Sequence, residues 1–117
     1  MKKFSLAKMQ RGWFVGDFEP TVLRSCDCEV AVKEYKQDDI EGEHFHLKST
    51  EVTVVLNGAA EIGGVRFGHG DIVVVSPGES VSFKAITDVT TVVFKDGSIA
   101  GDKFPGKWLG RGNDGDI

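Results

Sequence analysis

The chain has 117 residues and a mass near 12.7 kDa, which suits one small domain. Hydrophobic residues make up 40% and charged residues 27%, a composition typical of a globular rather than a disordered protein. The formal net charge of −4 argues against a nucleic-acid partner, because the chain has no basic excess with which to neutralise phosphates.

No membrane or export signal is visible in the sequence. The longest unbroken apolar run, residues 72–75, is far too short to cross a bilayer. The first eight residues include three lysines but no apolar core of a secretory signal. We therefore expect a cytoplasmic protein that does not enter a membrane.

Short β-strands account for most of the chain. Residues 1–20 predict an N-terminal arm or strand, and residues 37–43 predict an acidic turn. Val, Thr and aromatic residues between turn signals predict further extended segments at residues 21–36, 44–47, 51–56, 60–62, 65–67, 72–75, 81–86 and 89–94. The segment 72–75 has no polar member, so we expect it to be buried on both faces.

This pattern favours an all-β fold. Short strands at intervals of about eight to twelve residues are typical of a small sandwich or barrel. We predict one domain with an arm at residues 1–20, a β-barrel at 21–95 and a glycine-rich tail at 96–117 that is loosely ordered or held by its aromatic residues. Cys26 and Cys28 are too close in sequence for an unstrained disulfide, so we expect two small buried side chains on one strand face.

One group of residues has the side chains of a metal-binding or catalytic site. His44 and His46 lie two residues apart on a predicted strand, so both imidazoles face the same side. Glu51 follows on the neighbouring strand. Two imidazoles and a carboxylate can hold one face of a first-row metal ion and leave its other positions open to water or substrate.

The spacing of these residues resembles a known family, the cupins. His44, His46, Glu51 and Gly58 match the first cupin motif, His-x-His-x(3,4)-Glu-x(6)-Gly. The order of turns and strands that follows, through residues 70–71 and 77–78, is also similar. The resemblance covers about residues 42–95 and implies a jelly-roll-like β-barrel, a divalent metal such as Fe, Mn, Ni or Zn, and a homodimer.

The chain departs from the cupin pattern at several positions. Asp38 stands where the first motif usually opens with glycine. In the second motif, Ser76 occupies the proline position, Val81 the histidine position and Ala85 the asparagine position. Cupins commonly use the second-motif histidine as a fourth metal ligand, and the side chain of Val81 has no lone pair to donate.

Three interpretations of His44, His46 and Glu51 remain open. They form a three-ligand metal site, or they form a hydrogen-bonded polar floor in a metal-free ligand pocket, or they are satisfied partners inside the barrel. The third histidine, His69, falls between two glycines, and we expect it in an exposed turn.

Residues sharing the alternation phase of the motif are candidates for the pocket wall. Thr53, Val55 and Asn57 are in phase with Glu51, and Val81 occupies the second-motif position. We predict Thr53, Val55 and Val81 as substrate-binding residues. Lys33 and Tyr35 are further candidates, although nothing in the sequence fixes their direction.

The function implied by the resemblance is binding of a small polar molecule, such as a sugar or an organic acid. Metal-assisted isomerase or oxygenase chemistry is one form of that function. Metal-free binding without turnover, and a dimeric accessory module with a vestigial pocket, are the alternatives, so enzymatic activity stays open. Trp13 and Trp108, near the two ends of the chain, suit burial against a second subunit.

Overall fold

The structure is a computed structural model that describes residues 1–110. Within that range the only helical segment is the 3-10 turn Leu6–Lys8, and no helix is long and apolar enough to cross a membrane. The strands are β1 (Trp13–Val15), β2 (Glu29–Tyr35), β3 (Ile40–Phe45), β4 (Glu51–Asn57), β5 (Ala59–Ile62), β6 (Val65–Gly68), β7 (Ile72–Val75), β8 (Val81–Ala85), β9 (Val89–Lys95) and β10 (Phe104–Pro105).

The strands form two antiparallel five-stranded sheets. One sheet has the order β1-β2-β9-β4-β7 and the other β10-β3-β8-β5-β6. The predicted all-β, jelly-roll-like fold is confirmed. Both sheets include a strand from outside residues 21–95, since β1 lies in the first and β10 in the second.

The inner faces of the sheets are apolar toward one end and polar toward the other. The apolar end is a core cluster of Val55, Ala60, Ile62, Phe83, Ala85 and Val89. At the other end of β4, Glu51 and Thr53 face a cavity. The same strand face therefore supplies both the core and the polar cavity.

The predicted hairpin and the strands around it match the structure closely. β5 and β6 pair across Gly63-Gly64, whose φ angles of 59° and 81° are left-handed and suit glycine. β4 begins at Glu51 as predicted, and β8 and β9 agree within one residue at each end.

The predicted acidic turn at residues 37–43 is wrong in its second half. β3 begins at Ile40, so Glu41 lies in a strand, with a register shift between Glu41 and His44 where β3 pairs with β8. An inward-facing carboxylate breaks the alternation that identifies a half-buried strand, so residues 40–43 of β3 were predicted to be a turn. Of the strand predicted at 44–47, only residues 44–45 belong to β3, and His46 follows its end. Asp38 adopts a φ of 73°, which explains why the cupin pattern has glycine there.

The extended segment predicted at 21–36 is a strand only over Glu29–Tyr35. Cys26 and Cys28 precede β2; the first is exposed and the second half-buried, and both are free thiols. The prediction that both cysteines are buried on a strand face is therefore wrong. Alternation alone extended the strand too far, since nothing pairs with residues 26–28 in a ladder.

The prediction that residues 72–75 are buried on both faces is also wrong in a single copy of the chain. β7 is an edge strand, and Ile72 and Val74 are 61% and 56% exposed. Their neighbours across β4, β9 and β2 are also apolar. We call this surface the apolar outer face; its eight residues are Val30, Val32, Val52, Val54, Ile72, Val74, Val92 and Phe94.

The tail is held onto the body as far as residue 110. β10 pairs with β3, and the rings of Phe104 and Trp108 lie 5.3 and 5.9 Å from the ring of Phe45. Of the two alternatives expected for the tail, these residues show the aromatic one, with contacts to the body of the same chain. Residues 111–117 of the predicted tail lie outside the described range.

Asp102 ties the tail to the loop between β3 and β4. Its side chain, in a residue only 6% exposed, accepts hydrogen bonds from the backbone N–H groups of Leu47, Lys48 and Ser49 at 2.9 to 3.2 Å. Burial acts to raise the pKa of the Asp102 carboxyl, but the three N–H donors outweigh it and hold the pKa below its usual range. This loop carries the chain from His46 to Glu51.

We predict that Asp102→Ala lowers the free energy of unfolding by about 3 kcal/mol, because three backbone donors lose a charged acceptor. The stabilisation by Asp102 is present above about pH 4 and is lost as the pH falls through the lowered pKa, because the folded state favours the ionised form. Urea unfolding at pH 7 and pH 3 measures both effects.

The matched control for this prediction is Asp71→Ala. Asp71 accepts one backbone N–H, from Gly68, in an exposed turn. Its loss is expected to cost less than about 1 kcal/mol. An equal loss of unfolding free energy in the two variants would contradict the role assigned to Asp102.

Candidate functional site

A cavity of about 150 Å³ lies between the two sheets at their polar end. Its volume is comparable to that of a cavity known to hold a benzene-sized molecule. Its walls come from both sheets and from the segments before β1 and after β9. The lining residues used below are Arg11, Trp13, Lys33, Tyr35, Glu41, His44, His46, Glu51, Thr53, Val81, Thr91 and Lys103.

The two imidazoles meet edge to face inside the cavity. The ring centroids of His44 and His46 are 5.7 Å apart, with an angle of 89° between the planes. His44 Nδ1 donates to the carbonyl oxygen of Gly42 at 2.9 Å, which leaves the lone pair on Nε2. A backbone acceptor on one ring nitrogen is the usual way in which a metal-binding imidazole is oriented.

His46 is held in its neutral form. The residue is 4% exposed, and burial, with the positive charges of Lys95 and His44, lowers its pKa to about 4. A neutral imidazole keeps the lone pair that a metal ion or a hydrogen-bond donor requires.

Glu51 lines the cavity from β4, in the sheet opposite the one that carries His44, and not from a strand paired with β3 as expected. It has no ion-pair partner among the described residues. Burial raises the pKa of its carboxyl, and the charges of His44 and Lys95 only partly oppose that shift. Within residues 1–110, no Lys, Arg or His nitrogen lies within 4.0 Å of this carboxylate. The site would therefore gain from a positive charge placed beside Glu51.

Two imidazoles and a carboxylate are suitable ligands for a divalent metal ion, but in this structure they are too far apart to bind one ion together. Over the part of the chain that is described, no three His, Cys, Asp or Glu side chains come close enough together to hold an ion. Val81, at the second-motif position, is paired directly opposite His44 and lines the cavity. The position expected for a fourth ligand is thus beside His44 and apolar.

A second cluster of polar side chains, from β2 and β3, carries no net charge. Glu41 Oε2 accepts from Lys33 Nζ at 3.2 Å and from the Tyr35 hydroxyl at 3.1 Å. Burial acts to raise the pKa of the Glu41 carboxyl, but Lys33 and Tyr35 outweigh it and hold the pKa below its usual range. Tyr35 stacks on Phe83 with centroids 4.2 Å apart, which fixes the group against the core.

Trp13, from the N-terminal arm, closes one side of the cavity. Lys33 Nζ and Lys95 Nζ lie 5.7 and 5.6 Å from the centre of its ring. Lys95 is also paired with Glu29 at 3.0 Å. The arm therefore contributes a cavity wall.

The sequence-predicted site residues separate into two groups. His44, His46, Glu51, Thr53 and Val81 line the cavity together, as do Lys33 and Tyr35. Val55 lies in the apolar core instead, because the cavity ends at Thr53. Asn57 is exposed and accepts a hydrogen bond from Thr90 N–H, and His69 is in an exposed turn as predicted.

Thr91, Glu41, Arg11 and Lys103 are among the lining residues that sequence reasoning missed. Thr91 alternates in phase with Val93 and could have been found from the strand pattern. Glu41 was assigned to a turn. Arg11 and Lys103 lie in irregular segments, where no periodicity shows which way a side chain points.

We predict that His46 stays neutral down to about pH 5. Its pKa is lowered, so the folded state resists a proton that the unfolded state accepts, and stability falls as the pH drops from about 6.5 toward 4. NMR titration of the His46 ring measures this, with a blocked histidine peptide as the reference. An apparent pKa above 6 for His46 would contradict the buried position.

The comparisons with known proteins identify the fold. No family profile and no curated protein sequence matches the chain. Among solved structures, an uncharacterized conserved protein with a double-stranded beta-helix domain from Klebsiella pneumoniae is 20% identical with a TM-score of 0.69, over 91% of this chain and 92% of that one.

Two further solved structures are similar over smaller shares. A cupin-2 domain containing protein from Shewanella frigidimarina is 16% identical with a TM-score of 0.54, over 60% of this chain and 71% of that one. The bacterial pirin YhhW from Escherichia coli, in complex with nickel(II), is 15% identical with a TM-score of 0.63, over 75% of this chain but only 39% of the pirin. The chain therefore has the double-stranded β-helix fold of the cupins.

Proposed function

We propose that this protein binds a small polar molecule in the cavity, together with a divalent metal ion that His44, His46 and Glu51 would hold once their side chains turn toward one another. The observation that carries the proposal is the polar wall of an otherwise well-packed interior. Charged and imidazole groups are costly to bury, and a cavity rather than a filled core beside them suggests an occupant.

The residues present would prepare the metal position in three ways. The carbonyl of Gly42 orients His44, burial keeps His46 neutral, and Glu51 supplies the negative charge. A bound divalent ion would supply Lewis-acid activation of a substrate oxygen or of water. The fold likeness to a pirin complexed with nickel(II) supports a metal in this class of cavity, and Fe, Mn, Ni and Zn are the candidates.

The chemistry that suits such a site is isomerisation or oxygenation of a sugar or an organic acid. Glu41, Lys33 and Tyr35 would position the substrate, since their mutual hydrogen bonds fix these donors and acceptors in the cavity lining. Trp13 would shield the reacting centre from water.

Metal-free binding is the second candidate, and two observations favour it. Val81 replaces the fourth ligand, and the three donors are spread more widely than an ion requires across the residues described. In that case His46 and Glu51 would act as a hydrogen-bonding floor for the bound molecule.

Metal content separates the two candidates. We expect the chain, purified without added metal, to carry a first-row divalent ion near one equivalent, and His46→Ala to lose most of it. His69→Ala is the control, because it removes an imidazole from an exposed turn outside the cavity. Elemental analysis gives the content of all three proteins.

Full metal content in His46→Ala would exclude the proposed metal site. A chain that takes up none of the four metals, and whose melting temperature does not respond to a chelator, would support the metal-free candidate.

We also propose that the protein is a homodimer, with the apolar outer face as the interface. Two cross-strand rows, Val30–Phe94–Val52–Val74 and Val32–Val92–Val54–Ile72, cover four strands without a polar member. A contiguous apolar surface of this kind is unusual for a monomer. A second copy fits it, because two such sheet faces pack on each other as in a β-sandwich.

Ile72→Lys is expected to convert the dimer to a monomer, since it places a charge within a desolvated contact. Sedimentation equilibrium measures the mass, and Val65→Lys is the control. Val65 is 57% exposed on β6, the edge strand of the other sheet. A monomeric wild-type chain, or a monomer in the control as well, would contradict this interface.

A further inference from the structure

The cavity is positively charged although the protein is acidic. Its lining includes the cations Arg11, Lys33 and Lys103 and the carboxylates Glu41 and Glu51. The chain as a whole has a formal net charge of −4. Cations outnumber carboxylates by three to two in this lining, and an excess of one sign around a concave surface attracts ligands of the opposite sign.

Two of the three cations form no ion pair within residues 1–110. Lys33 is engaged by Glu41 at 3.2 Å. Arg11 and Lys103 are exposed at the edge of the cavity, and no carboxylate of residues 1–110 lies within 4.0 Å of either. Arg11 also borders a wider hollow that shares Lys33, Tyr35 and Glu41 with the cavity, so it stands where a ligand would enter.

An independent observation comes from the cavity floor. The side-chain oxygen of Thr91, Oγ1, is buried, the residue is 1% exposed, and the hydroxyl has no hydrogen-bond partner in the described structure. Thr91 is paired directly opposite Lys33 and lines the cavity. An unsatisfied buried hydroxyl is costly, so a ligand oxygen that reached Thr91 Oγ1 would be favoured.

We propose that the molecule bound in the cavity is a small organic carboxylate, with its negative group between Arg11 and Lys103 and an inner oxygen that accepts the hydroxyl proton of Thr91. This inference rests on the proposed small-molecule binding and does not depend on the metal. The cavity volume limits the ligand to about the size of a six-membered ring. A four-carbon dicarboxylate fits both the size and the two polar ends.

The test compares succinate with succinamide, which has the same carbon skeleton and no charge. Each is titrated into the purified full-length chain while amide NMR signals are followed. Succinate is expected to shift the signals of Thr91 and Lys103 and to bind about tenfold more tightly than succinamide. Raised salt should weaken succinate binding and leave the diamide unchanged.

Two variants locate the site. Arg11→Gln combined with Lys103→Gln is expected to weaken succinate binding about tenfold. Arg66→Gln combined with Lys84→Gln is the control, because it changes the net charge equally at exposed residues outside the cavity and should alter affinity less than twofold.

Thr91→Val tests the hydroxyl separately. This near-isosteric change should weaken succinate binding severalfold while leaving the unliganded chain as stable as before or more so, since the lost hydroxyl had no partner. Unchanged affinity in this variant would overturn the role of Thr91.

The outcomes distinguish this inference from the proposed function. Equal binding of succinate and succinamide, with shifts at the cavity, would overturn the carboxylate preference and leave small-molecule binding intact. Absence of cavity shifts with either compound would overturn the carboxylate inference, while metal content, measured on the same sample, tests the metal site independently.

Discussion

The central constraint on this molecule is that polar and charged side chains share an inner sheet face with its apolar core. On β4, Glu51 and Thr53 face the cavity, whereas Val55 packs in the core. Burying charges without compensation is prohibitively costly, so the polar end must supply its own partners or hold an occupant. The fold, the cavity and the proposed chemistry all depend on how that requirement is met.

Part of the requirement is met inside the chain. Glu41 is matched by Lys33 and Tyr35, and Lys95 by Glu29. Asp102 accepts hydrogen bonds from the backbone of the loop that joins β3 to β4, and this loop connects His46 to Glu51. The groups left without internal partners are informative, because they are the ones that a metal ion or a ligand would contact.

Strand pattern and motif spacing predicted most of the fold and the centre of the candidate site. β4 and the β5–β6 hairpin follow from β-branched runs bounded by glycines, and the histidine–glutamate spacing predicted three side chains that line one cavity. Alternation failed where tertiary structure decides burial. The first four residues of β3 were predicted to be a turn because of the inward-facing Glu41, and β7 was predicted to be buried because an apolar strand gives no sign of lying at a sheet edge.

The residues proposed to set ligand preference were the least predictable. Arg11 and Lys103 lie far apart in sequence, in segments without periodicity, and only the closed fold brings them to one cavity. Which charged residues come together in the cavity therefore depends on long-range contacts that no local sequence pattern predicts.

The most direct test of the central claim is an experimental electron-density map of the cavity, with anomalous data from crystals grown with Mn²⁺ or Ni²⁺. The account predicts one anomalous peak about 2.0–2.2 Å from the imidazole nitrogens of His44 and His46, with Glu51 turned toward it. Finding these three side chains directed into bulk solvent, with no common cavity between the sheets, would contradict it.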